Sequence, residues 1–107
     1  MGPVRVEILH IAECPNWVEA GARVREALGA AGLSAVDVSF RLLSNSHEAA
    51  ETAFAGSPTI LIDGSDAFPG GARTADLACR VYRTPSGFVG VPSVAEIGRA
   101  IRARLDG

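Results

Sequence analysis

The chain has 107 residues, enough for a single domain over residues 1–107, and 48% of them are hydrophobic, which supports a packed interior. A formal net charge of -2 leaves no basic stripe to displace counterions, so nucleic acid is not an expected partner. No apolar run approaches the roughly 20 residues that cross a bilayer, and Arg5 and Glu7 interrupt any signal-like core, so a cytoplasmic protein without a membrane partner is expected. Two cysteines are too few for a secreted disulfide scaffold. In a reducing compartment they read as free, catalytic or metal-binding.

Residues 4–11 alternate and then turn apolar on both faces, the pattern of a central strand covered twice. Residues 15–31 form the first predicted helix, with Trp17, Gly21, Val24, Leu28 and Ala31 on one stripe and Gly32 as the stop. Val36, Val38, Phe40 and Leu42 alternate with polar residues and predict a second strand. Asn45 with Glu48 makes a capping box that opens a short helix over about residues 46–55, closed by Gly56. Thr59-Ile60-Leu61-Ile62 is a β-branched run that reads as a buried strand. Asp63-Gly64 is a turn pair, and Ala67-Phe68 a short returning strand.

Pro69-Gly70-Gly71 breaks the pattern, and residues 74–79 predict a helical turn or two. Val81-Tyr82 and Phe88-Val89 flank an excursion with Thr84-Pro85-Ser86-Gly87 at its tip. A second capping box, Ser93 with Glu96, opens a last helix to about Leu105, with Val94, Ile97, Ile101 and Leu105 facing inward. The order is β-α-β-α-β-β-α, an α/β chain whose sheet carries helices on both faces. The first β-α-β unit should be parallel and right-handed.

His10-Ile11-Ala12-Glu13-Cys14-Pro15-Asn16-Trp17 joins the first strand to the first helix. Cys14 is placed at the helix N-cap, with Pro15 at the first helical position, where a missing N–H costs nothing. The positive end of a helix and its unpaired N–H groups favour thiolate over thiol, so Cys14 should ionise more readily than a free cysteine. Such a sulfur serves as a nucleophile, a redox centre or a soft-metal ligand. Cys79 is either its partner or a small buried hydrophobe.

The succession of strand, Cys14, helix, strand and helix, then Gly56-Ser57-Pro58-Thr59-Ile60-Leu61-Ile62-Asp63-Gly64, resembles the thioredoxin-like superfamily over residues 4–71, with the last helix as its closing element. The resemblance implies a three-layer α/β/α sandwich around a mixed four-stranded sheet. It also implies a cis Ser57–Pro58 bond lying against Cys14, and a thiol oxidoreductase acting on a small thiol or a protein disulfide. Cys14, Cys79 and Pro58 are then the catalytic candidates, and Trp17, Ser57 and Thr59 the candidates for holding a low-molecular-weight thiol; no resident cofactor is implied. Trp17 replaces the second cysteine of the family's Cys-x-x-Cys motif. Three routes stay open: an external small thiol, resolution by Cys79, or a non-catalytic scaffold that docks a partner chain. Gly70-Gly71 matches the pair after which related chains return to the active-site rim, which would bring Cys79 near Cys14.

The segments His10 to Trp17, Gly56 to Gly64 and Cys79 to Thr84 also resemble small alkylmercury-lyase-like proteins. That resemblance implies Hg(II) or an organomercurial held by Cys14 and Cys79, since thiolates favour soft metals. The lyases place an acid three residues after the first cysteine, where this chain has Trp17; Asp76 and Glu13 are the available substitutes. His10 is either a partner of the Cys14 thiolate or a core-edge residue. Arg73 and Arg80 are either cations for a small thiol's carboxylates or solvated surface groups.

Overall fold

A computed structural model describes residues 4–69, 74, 76–85 and 87–106. Gly70, Gly71, Arg73 and Ser86, which the sequence singled out, lie outside those residues. The fold is mixed α/β. It has one four-stranded sheet among the described residues. The central strand β1 (Val6–His10) pairs in parallel with β2 (Val38–Leu42) and antiparallel with β3 (Thr59–Ile62), and β4 (Ser65–Asp66) continues antiparallel at the far edge. The helices are α1 (Asn16–Ala30), the short α2 (Ser46–Ala50) and α3 (Val94–Asp106). A separate hairpin, β5 (Tyr82–Thr84) with β6 (Gly87–Val89), forms the excursion before α3.

Period-two alternation sends the apolar side chains of β1 and β3 to two cores. Val6, Ile8, Ile60 and Ile62 pack with Val24 and Leu28 of α1 and Ile97 and Ile101 of α3. Leu9 and Leu61 point the other way, against Ile11, Cys14, Leu43, Ala49 and Phe54. Helices therefore cover both faces, as the doubly apolar β1 required.

Local signals hold where their chemistry is short-range. Ser93 and Glu96 form a reciprocal box: Glu96 N–H donates to Ser93 Oγ at 3.1 Å, and Ser93 N–H donates to Glu96 Oε1 at 2.9 Å. Asn45 Oδ1 accepts from Glu48 N–H at 2.9 Å, but the Glu48 carboxylate reaches back to Ser44 N–H instead of Asn45. Asp63 and Gly64 both take positive φ, 53° and 83°, the geometry that turns β3 tightly into β4.

Several boundaries differ from the sequence reading. Pro15, not Cys14, caps α1, so Cys14 sits one residue outside the helix. α2 ends at Ala50 because the Thr52 hydroxyl donates to Ala49 O and accepts from Phe54 N–H, diverting the backbone. β4 forms at Ser65–Asp66, ahead of Ala67-Phe68; Phe68 packs against the first core instead. No helical turn forms among the described residues of 74–79, where the chain is extended at its end and Cys79 bridges to Ser57. Leu42 and Leu105 are exposed, because Leu42 ends β2 and Leu105 stands in the last turn of α3, beyond the reach of the core. No helix among the described residues is long and apolar enough to cross a membrane.

Ile101 is fully buried while Leu105 is 38% exposed one turn later. Ile101→Ala should therefore cost about 2–5 kcal/mol in urea unfolding, and Leu105→Ala less than about 1 kcal/mol. Equal losses would contradict the packing of α3.

Candidate functional site

Cys14 leaves β1 through a short turn and is 0% exposed, enclosed by the apolar side chains of the second core. The expectation of an accessible Cys14 is thereby corrected: the fold encloses this sulfur, because side chains from β1, β3 and α2 converge on it. Its Sγ lies 3.5 Å from the carbonyl oxygen of Ser57.

The Ser57–Pro58 bond is cis. Ser57 anchors the site on three sides. Its Oγ accepts from Ile11 N–H at 3.1 Å, tying it to the exit of β1. Its own N–H donates to Ala78 O at 2.8 Å, and its carbonyl accepts from Arg80 N–H at 2.8 Å. These two backbone bonds straddle Cys79 and make a parallel bridge between Ser57 and Cys79. Cys79 is thereby delivered to Cys14: their Cα atoms are 5.9 Å apart and the two sulfurs are joined as a disulfide.

The extended segment that carries Cys79 is pinned by its neighbours. Arg80 is buried, pairs with Asp66 Oδ2 at 2.9 Å, donates to Phe68 O at 2.5 Å, and lies 4.4 Å over the Tyr82 ring. Tyr82 in turn donates its hydroxyl to Pro58 O. Burial pushes the Tyr82 phenol well above its ordinary range, so it stays a donor. The reading of Arg80 as a solvated cation, or as a cation for a small thiol's carboxylates, is thus corrected, because its guanidinium is spent inside the protein.

Gly56 permits this close approach. Its φ is +106°, and a Cβ there would stand 2.9 Å from Arg80 Cα. Both conditions select glycine. In the sequence Gly56 reads as a helix stop at the head of the Gly-Ser-Pro run, and no local signal marks the pairing of Asp66 with Arg80.

Other candidates are placed elsewhere or already engaged. Thr59 Oγ1 is buried, donating to Gly56 O at 2.5 Å and accepting from Ala55 N–H at 3.0 Å, so it shapes the loop. Trp17 stacks on His10 at 4.3 Å and meets Phe40 edge-on at 5.5 Å, on the first-core side of the sheet. Cys14 belongs to the opposite side. Glu13 and Asp76 are exposed. No group of three or more His, Cys, Asp or Glu able to hold a metal forms among the described residues. A cleft of about 480 Å³ opens between residues 67–69 and 80–83, and neither cysteine lines it.

His10 is 7% exposed and its Nδ1 has no hydrogen-bond partner among the described residues. Burial lowers its pKa below 6.5, against a smaller raising effect from the Ile11 backbone. Because the unfolded chain takes up a proton that the folded chain refuses, stability should fall as pH drops below about 6.5. Unfolding midpoints at pH 7 and pH 5 should diverge more for the wild type than for His10→Phe; parallel losses would refute a neutral buried His10. Gly56→Ala should cost about 2 kcal/mol, from the forced φ and the displaced Arg80 backbone, and unchanged thermal unfolding would argue against the close approach. Comparison with protein-family models, curated proteins and solved structures returns no match to this chain.

Proposed function

We propose that this chain is a thioredoxin-like thiol–disulfide exchange protein that cycles between a Cys14–Cys79 disulfide and the dithiol. The observation that supports it most is the meeting of the two sulfurs beside the cis Ser57–Pro58 peptide. The sheet order, with β3 antiparallel to a parallel β1–β2 pair, agrees with that reading. Cys79 takes the role of the missing second cysteine of a Cys-x-x-Cys motif. It comes from a distant extended segment instead of the next helical turn. In exchange, two external thiols give up two electrons and two protons and become one disulfide, while the Cys14–Cys79 bond is reduced to two thiols; the reverse reduces a small or protein disulfide. A cytoplasmic setting, where thiol pools are reducing, suits such a couple.

A second reading rests on the same proximity. Reduced Cys14 and Cys79 would offer two soft sulfur ligands to Hg(II). Carbon–mercury cleavage would also need a proton donor, and at the expected position Trp17 is occupied by its stack on His10. Binding without cleavage is the form of this reading that the residues support.

Equilibration in glutathione buffers, followed by alkylation and mass measurement, separates the two roles a disulfide can have. An exchangeable pair shows one two-electron transition above about -300 mV, absent in Cys14→Ser and Cys79→Ser. A pair that stays oxidised throughout is a structural staple, and the exchange reading fails. For the mercury reading, Cys79→Ser should lower Hg(II) affinity by at least tenfold; equal affinities would remove the two-thiol site.

A further inference from the structure

Resting on the exchange reading above, we infer that an external thiol reacts at Cys79, on a face that Cys79 shares with Val81, Arg83 and Phe88, and that Cys14 is the buried partner sulfur. Thiol–disulfide exchange depends on which sulfur an incoming thiolate reaches. Cys14 is fully enclosed by Leu9, Ile11, Leu43 and Phe54. Cys79 is exposed. Cys14, just before α1, is thus the enclosed residue, and Cys79, on a distant extended segment, is the exposed one.

Exposure alternates strictly along this segment. Cys79, Val81 and Arg83 face outward, while Arg80 and Tyr82 are buried. An extended chain puts alternate residues on one face. Phe88 stands opposite Arg83 in the β5–β6 register and so joins that face. Val81 is 63% exposed and Phe88 72%, unusual for residues of their size, and Arg83 has no ion pair among the described residues. An apolar surface with one free cation thus runs on from the reactive sulfur. It fits a small thiol that carries a carboxylate. Docking of a partner strand on Ser57 is ruled out as the mode of recognition, because both backbone groups of Ser57 are taken by Ala78 and Arg80.

The steps balance. A thiolate attacks Cys79 Sγ, a new S–S bond forms, and the Cys79–Cys14 bond breaks with its electron pair on Cys14 Sγ, which takes up a proton. A second thiolate attacks the external sulfur of the mixed disulfide, releasing Cys79 thiolate and a symmetrical disulfide.

The test reduces the oxidised protein with glutathione, which is anionic, or 2-mercaptoethanol, which is neutral, quenches with acid at short times and maps the mixed disulfide by mass spectrometry. The adduct is expected on Cys79 with both probes. Arg83→Gln should slow the glutathione reaction about threefold, as loss of an exposed ion pair allows, and leave the 2-mercaptoethanol rate unchanged. An adduct on Cys14 overturns the assignment. Equal slowing of both probes overturns the role of Arg83. If neither probe reduces the pair, the exchange reading fails, and that result is distinct from an adduct on the wrong sulfur.

Discussion

The pair of backbone hydrogen bonds between Ser57 and the chain on either side of Cys79 is the constraint on which the site depends. One such bond contributes only about 1 kcal/mol net, so two alone would hold the segment loosely. The rest comes from Arg80, whose buried guanidinium reaches Asp66, the Phe68 carbonyl and the Tyr82 ring at once. A buried charge is costly unless fully paired, and here the pairing is also what fixes the strand. Register along residues 78–82 is therefore over-determined: shifting it by one position would bury Cys79 and expel Arg80.

Chemistry and packing share one atom in this fold. Cys14 Sγ belongs to the second core and to the disulfide. Reduction need not open the core, because a thiol packs as a small hydrophobe. Once reduced, the Cys14 thiol also has the Ser57 carbonyl 3.5 Å away as an acceptor. The buried sulfur thus has a place in both redox states, and on the proposed exchange reading the exposed residue, Cys79, is the one an external thiol meets.

On the other face, Gly21 leaves the room that the Phe40 ring fills, and Phe40 in turn edges Trp17 and His10. This stack closes the end of β1 on the α1 side and uses up the aromatic side chain nearest in sequence to Cys14. Trp17 at the position of a second cysteine thus has a packing reason of its own.

What the sequence determined by itself was what neighbouring residues settle between them. Alternation in β1, the β-branched run of β3, the stripe on α1, the Ser93–Glu96 box and the Asp63-Gly64 turn each involve residues within a few positions of one another, and a sheet covered by helices on both faces follows from them. The site, by contrast, depends on contacts between segments far apart in the chain. Cys14 looked accessible because a helix start is usually at the surface, yet α2 and the Phe54 loop cover it. The segment 74–79 looked helical by itself, but Ser57 offered paired backbone groups to an extended chain, and that long-range bridge outweighs weak local preference. Arg80 read as a surface cation because nothing near it in sequence announces Asp66, and burial of an arginine is decided by a partner brought in by the fold.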